Sequence, residues 1–459
     1  MVASKAAMST AGHNIANANT DGFSRQRVQT ESAVSNTSPG RHQIGTGTML
    51  SRVERINDEY VEKSIRNAGR EMSHLEEKDL MLRQVEDIFN EMNGDGLNRL
   101  ISKFFNEFRR LSNEPDNEAV RQSVRESSQA MVNDFHRLRT EVDSVREHID
   151  ARIEGYVREV NASADDLRDL NMRIKVAEVG GAVPNDLLDK RDMALRKLGT
   201  FMDLNMHKAE DGGYKVDIKG VGPLVSTTEA QKFEVERTGA DHQGKEANSL
   251  DIRTSSNTTG IVTHLLKGGK LGALLEVRDQ ILSQVRDRLD DLAYTLTSAV
   301  NEIHEQGFTR NGMQGVAFFK QLGDRGRAAE LFELSDAVKA NVNNIAAAAQ
   351  ADAPSDNRIA IAISGIQGQK LMNGAKSTMD DWYNSIISDV GVAASKTRGA
   401  MTQQHDIVTQ LGKIRDQISG VSIDEETTAL MQFQHAFDAS AKVIQVADEC
   451  LKTVLDLRR

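Results

Sequence analysis

From Leu430 onward the apolar residues repeat every seven positions in two interleaved series, Leu430, Phe437, Ile444, Leu451 and Phe433, Ser440, Ala447, Val454. Such a repeat is the seam of a coiled-coil helix. Ser422 stands three residues before Glu425 as a capping box, and Asp424, Glu425 and Glu426 put negative charge at the positive end of the helix dipole. No Gly or Pro follows, so the pattern predicts one helix over 426–457, roughly 48 Å long at 1.5 Å per residue, with Arg458 and Arg459 favourably placed at its end. The amino terminus carries a second heptad of mostly small residues, Met1, Met8, Ile15 and Ser4, Ala11, Ala18, with Gly22 as its stop. One seam is bulky and the other small, so the two terminal helices are expected to wrap together despite their separation in sequence.

Between the termini, helical spacing predicts helices over 59–89, 97–111, 118–179 and 185–201. The third holds no proline and would reach on the order of 90 Å. Before them, 30–48 reads as a polar connector turning at Pro39-Gly40, and 49–56 alternates weakly. From Met202 to Arg253 the period changes to two, with Tyr214, Val216 and Ile218 alternating against charged residues. Asp211-Gly212-Gly213 is a hairpin turn signal and Phe233 to Glu236 a further strand, so this region predicts a small antiparallel domain. Helical sevens and threes resume at Leu271 and run to Ile303; 307–339 is a glycine-containing interruption with a short aromatic strand at Val316 to Phe319; 357–367 and 379–417 are helical again. The expected fold is mainly α: an elongated helical bundle or coiled-coil rod with discontinuous terminal helices and a small antiparallel β insertion domain. The expected domains are a terminal axial domain (1–40 with 415–459), a helical rod (41–201, 266–306 and 341–414), a β-rich outer domain (202–265) and a short hairpin-like insertion (307–340).

Composition narrows the function. With 459 residues the chain has room for two to four domains. A net charge of -11, with no basic stripe bearing stacking aromatics, disfavours nucleic-acid binding. Aromatic residues make up 4% of the chain, which argues for slender helical packing over ring-filled cores. The single cysteine, Cys450, has no internal partner and reads as a small packing residue beside Leu451. Residues 1–19 contain neither a secretory signal nor a membrane anchor. Three chemical motifs are present in part and each lacks an essential residue. Gly239, Gly244 and Lys245 resemble a phosphate loop, but Glu246 stands where the metal-binding hydroxyl belongs. Glu91, Asn93, Asp95 and Gly96 imitate a calcium loop that would need a bidentate Glu at Ser102. His304-Glu305 opens a zinc-peptidase motif, but Phe308 occupies the second histidine's place. Asp290-Asp291 and Glu425-Glu426 read as helix surface and helix start. No catalytic residue, metal or cofactor is expected.

Asn14-Ile15-Ala-Asn17-Ala-Asn19-Thr20-Asp-Gly22-Phe23-Ser-Arg25-Gln26 resembles the N-terminal signature of flagellar rod, hook and hook-associated proteins. Ser419 to Glu426 with the following Gln434 to Ile444 is similar to the matching C-terminal signature. The blocks Asn185 to Asp192, Gly269 to Asp279 and Val300 to His304, and the segment Leu97 to Arg121, are similar to the hook-filament junction group within that family. The chain departs from the usual pattern at Asp21 and Phe23, where Pro and Tyr are common, and relatives carry further helical residues before the position of Met1. The resemblance implies a structural subunit of the bacterial flagellum, exported unfolded through the type III pathway and assembled outside the cell. Its implied partners are other copies of itself, hook protein, the next junction protein, and an export chaperone on the C-terminal helix, with no membrane or nucleic-acid partner. The assembly and chaperone residues would be Leu430, Phe433, Phe437, Ile444, Leu451 and Val454, and the N-terminal axial residues Asn14, Ile15, Asn17, Asn19, Thr20, Gly22, Phe23, Arg25 and Gln26. Alternatives are another axial protein, such as hook, distal rod or flagellin, and a coiled-coil scaffold outside motility.

Overall fold

Long runs without proline become long helices, and α-helix dominates the computed structural model of the chain, which describes residues 1–33, 47–89, 96–208, 214–238, 249–255, 260–353 and 355–456. In chain order the elements are α1 (Val2–Ala16), β1 (Gln26–Ser32), β2 (Thr48–Arg55), α2 (Glu59–Ile88), α3 (Leu97–Asn113), α4 (Glu118–Val179) and α5 (Asn185–Gly199). Five strands follow, β3 (Leu204–Lys208), β4 (Tyr214–Ile218), β5 (Gly222–Val225), β6 (Phe233–Thr238) and β7 (Ser249–Thr254). The remainder is helical: α6 (Gly269–Glu276), α7 (Ser283–His304), α8 (Ala328–Leu331), α9 (Asp336–Ala340), α10 (Arg358–Gly365), α11 (Met379–Ser419) and α12 (Ile423–Asp456). The mainly α class with a small antiparallel β insertion is the one the periodicity predicts. The turns expected at Pro39-Gly40 and at Asp211-Gly212-Gly213, the glycine loop at Gly239 to Lys245, the calcium-like residues Glu91, Asn93 and Asp95, and Arg458-Arg459 lie outside the described residues.

The chain divides into two compact units. The first comprises Met1–His74, Gly155–Gly272 and Met401–Arg459. Its strands form three small antiparallel sheets, β1-β2, β3-β4-β5 and β6-β7. Helix α4 holds two of them through asparagines. The Asn161 amide donates to Phe233 O and accepts from Phe233 N, both at 2.8 Å, and Asn171 donates to Tyr214 O at 3.1 Å. The Gly269 block has a steric cause. Gly269 has φ +58, and a Cβ there would stand 2.4 Å from the Phe201 carbonyl carbon, because Lys270 N and Leu271 N donate to Thr200 O and Phe201 O.

The second unit comprises Leu75–Glu154 and Ala273–Ala400. Against the compositional expectation, rings do build its core. Phe104, Phe105, Phe108, Phe135, Phe318, Phe319 and Phe332 lie in edge-on or tilted contact with centroids 4.7–5.9 Å apart. The chain has few aromatics, but it concentrates them. The heptads read from Leu271 are also broken, by a π-helical turn at Val277–Leu282. The turn carries Arg278 into the interior, where Nη1 donates to Asp150 at 2.8 Å and Nε to Asp279 at 2.6 Å. Asp290, read as surface from its sequence, is buried. It accepts from Arg139 Nη1 at 3.0 Å and from the backbone N–H of Arg327 and Ala329. Burial raises its pKa against those partners.

The partial zinc motif resolves into packing. His304 Nδ1 donates to Val316 O at 2.6 Å and Nε2 accepts from Ala346 N at 2.7 Å. Asn301, one turn earlier, accepts from Phe318 N and Phe319 N and donates to Phe319 O. The Val300 to His304 block thus clasps the 307–339 interruption onto α7. Both imidazole nitrogens are used with the ring neutral, and burial lowers its pKa from 6.5 to about 4.

Between those two values the unfolded chain binds a proton that the folded one refuses. The second unit should therefore lose stability as pH falls through this window, by up to about 3 kcal/mol. Denaturant unfolding at pH 7 and pH 4.5 should show a larger loss for the natural chain than for His304→Gln. Equal losses would contradict the assignment.

Candidate functional site

Sequence patterns from three distant parts of the chain meet at one polar knot in the first unit. Asn14 is in the last turn of α1 and buried. Its amide donates to Gln26 O at 2.9 Å and to Glu426 Oε2 at 3.1 Å, and its oxygen accepts from Gln26 N at 3.0 Å. A carboxylate in its place could not donate, and glutamine would be one methylene too long. Arg25 is fixed from every side. Nε donates to Glu426 Oε1 at 2.7 Å, Nη1 to Glu425 Oε2 at 2.8 Å, its backbone N to Ser419 O at 2.9 Å, and its carbonyl accepts from Ile56 N at 2.7 Å. Glu426, expected only as a helix-start charge, is therefore the buried acceptor of both Asn14 and Arg25. The cap expected from Ser422 is present in weak form, with Glu425 N donating to Ser422 Oγ at 3.5 Å.

The loop after α1 is locked from the other side by α5. Gly22 has φ +78, and a Cβ there would meet the Met193 side chain at 2.4 Å. Asp186, Asp189 and Asp192 recur every three residues and so share one face of α5. Gln26 Nε2 donates to Asp186 at 2.9 Å, Ser24 N to Asp189 at 3.0 Å, and Arg55 Nη1 to Asp189 at 2.9 Å and Asp192 at 2.6 Å. Burial opposes the charge on Arg55, yet Asp192 and Asp189 raise its pKa overall. A further carboxylate, Glu62 on α2, takes Arg196 Nε at 3.1 Å and Arg415 Nε at 3.1 Å, while Arg415 also donates to Phe23 O. Burial pushes Glu62 up, but the two guanidiniums outweigh it and hold its pKa below the usual range.

The remaining N-terminal residues shape the turn. Asn17 Nδ2 donates to His13 O and Thr20 Oγ1 to Asn17 Oδ1; Phe23 rests edge-on against His13 with centroids 5.5 Å apart; Ile15 is half-buried, and Asn19 and Thr20 are exposed. On α12, Leu430, Phe433 and Phe437 are half-buried, whereas Ile444, Leu451 and Val454 are exposed by 56%, 62% and 64%. Pairing with α1 begins at the first turn of α12, where Asn14 meets Glu426. Cys450, expected to pack, is exposed on the bare half. Along the paired half, a cleft of about 670 Å³ is lined by Ala3, Ala7 and Ala11 of α1, Val28 of β1, and Ala429 and Phe433 of α12.

The residues that sequence reading missed are the α5 carboxylates, Arg55, Glu62, Arg196 and Arg415. Their signal was the three-residue spacing of the aspartates inside a block already singled out. Among the described residues no group of three or more His, Cys, Asp or Glu is placed to hold a metal ion, and no helix is long and apolar enough to cross a membrane.

Removing the buried acceptor should free α1. Glu426→Ala is expected to raise native-state proteolysis at Lys5 by roughly a hundredfold, since breaking a buried pair costs about 3 kcal/mol. Glu425→Ala, whose side chain is 64% exposed, should change it by less than about fivefold. Equal effects of the two would contradict the division of roles.

Residues 82–319, more than half of the chain, match the family described as the flagellar hook-associated protein FlgK helical domain. Residues 416–457 match the C-terminal family of flagellar basal body rod FlgEFG proteins. The chain is 29% identical over 486 residues to flagellar hook-associated protein 1 of Bacillus subtilis strain 168, covering 99% of this chain and 96% of that one. The protein of the same name from Escherichia coli K12 is 26% identical over 539 residues, covering 99% and 98%. Among solved structures, the flagellar hook junction protein FlgK from Burkholderia pseudomallei aligns with a TM-score of 0.69 at 16% identity, over 77% of this chain and 100% of that one, so the two share a fold. The terminal signatures that meet at Glu426, the helical middle and the matched relatives agree, and the chain belongs to the flagellar hook-associated protein FlgK family.

Proposed function

We propose that this chain is a structural subunit of the bacterial flagellum that joins hook to filament after export to the cell exterior. The observation that carries the reading is a helix half covered by its own chain and half bare, anchored at a knot built from the family's terminal signatures. In this reading 1–40 and 415–459 form the axial domain, and the helical and β-rich segments between them form the rod and the outer domain. The neighbours are other copies of the chain, hook protein on one side and the next junction protein on the other. Leu430, Phe433, Phe437, Ile444, Leu451 and Val454 form the assembly seam, and before export a chaperone covers it.

Magnitudes favour assembly on a template. Each large apolar side chain contributes about 1.5–3 kcal/mol when buried. The six exposed at Val443, Ile444, Val446, Leu451, Val454 and Leu455 therefore offer on the order of 10 kcal/mol, comparable to the cost of association itself. One tail contact leaves free copies dissociated; a growing hook end that supplies several contacts at once retains them.

A deletion strain tests the function. Cells should keep hooks, fail to hold filaments and shed flagellin monomers into the medium, all restored by the natural gene. Normal motility in the deletion would contradict it.

A further inference from the structure

Strand β3 and one face of α2 form the walls of a groove of about 470 Å³ within the first unit. Every residue from Met202 to His207 lines it. A strand turns alternate side chains to opposite faces, so a lining of consecutive residues means that the groove meets β3 along its edge. In the order β3-β4-β5 that strand is outermost, laddered to β4 from Leu204 opposite Ile218 to Lys208 opposite Tyr214. Asp203 N donates to Lys267 O, and beyond that point no backbone group takes the outer edge among the described residues. An open edge of this kind is a template for one more strand.

The facing wall is cationic. Lys63, Arg66 and Arg70 follow one another at spacings of four and three and so share a face of α2, and Lys219, just beyond β4, lines the same groove. Two carboxylates line it as well, and both are engaged: Asp203 accepts from Arg70, and Glu59 from the Tyr214 hydroxyl at 3.3 Å. His207 has Asp217 at 4.0 Å. Lys63, Arg66 and Lys219 have no hydrogen-bond or ion-pair partner among the described residues, in a chain whose net charge is -11.

From the open edge and the unpaired cations together we infer that this groove seats an extended acidic peptide segment of a partner protein, added beside β3 as a further strand with its carboxylates toward Lys63, Arg66 and Lys219. The edge selects a polypeptide, because a phosphate or an anionic sugar would meet the cations and leave the strand's N–H and C=O groups unpaired. A second copy pairing β3 against β3 is disfavoured, since it would bring two cationic ridges together. The five residues of β3 span about 17 Å, so a short segment is enough.

Fluorescence anisotropy of the purified full chain with a labelled peptide of alternating glutamate and valine tests the inference. Binding should saturate, weaken as salt is added, and be absent for the same peptide with lysine in place of glutamate. Lys63→Ala combined with Arg66→Ala, at solvated positions of α2, should keep the thermal midpoint and weaken binding by about tenfold. Two N-methylated peptides test the ladder without altering the protein. Methylation at every glutamate blocks one edge of the peptide and methylation at every valine blocks the other, so one of the two should lose binding and the other keep it. Absence of saturable binding would make the cations guards of the edge and not a seat, and overturns the inference. Binding that survives in the double variant, or that survives both methylations, overturns it as well.

Discussion

The carboxylate of Glu426 is the point on which the first unit's organisation depends. It is buried, and a buried charge persists only where its lone pairs are taken by good donors. Here those donors are Arg25 and Asn14, so the start of α12 can be buried only if the segment after α1 is in place, and the reverse holds too. An apolar seam alone would let the two helices slide along one another. The ion pair and the bifurcated amide set their register, the role for which a buried polar group is best attested.

The register also fixes where pairing starts, at the first turn of α12, while Ile444, Leu451 and Val454 farther along the helix are exposed. Helix α5 reinforces the arrangement from the opposite side, because its three aspartates grip Ser24, Gln26 and Arg55 and keep the loop and the β1-β2 hairpin from relaxing. The second unit is stabilised differently, by its ring cluster and by single polar side chains such as His304, Asn301 and Asp290, which pin irregular backbone to α7.

Much of this was legible in the residues. Proline-free runs with apolar spacing placed α2, α3, α4, α10 and α11 close to their observed bounds, since long amphipathic segments have few other ways to bury a face. The end of strand β1, Thr30 to Ser32, was read as the start of a connector; none of the strand's residues is buried, so its ladder to β2 leaves no alternation in the sequence. The π turn escaped because one extra residue in a helix shifts the faces without changing composition. The knot was half legible: Asn14, Arg25 and Gln26 stand in a recognisable signature, but their partners lie up to 412 positions away, and periodicity carries no information about such pairs. Burial of Asp290 and Glu426 was missed for a related reason, as an acidic residue on a helix reads as solvated until its donors are known.

The central claim is that the distal half of α12 has no partner until copies assemble. Amide hydrogen exchange measured on purified monomer and on isolated flagella tests it most directly. The account predicts that amides of 441–456 exchange rapidly in the monomer while those of 426–437 and of α1 are protected, and that the distal segment becomes protected in flagella. Equal protection of both halves of α12 in dilute monomer would contradict it.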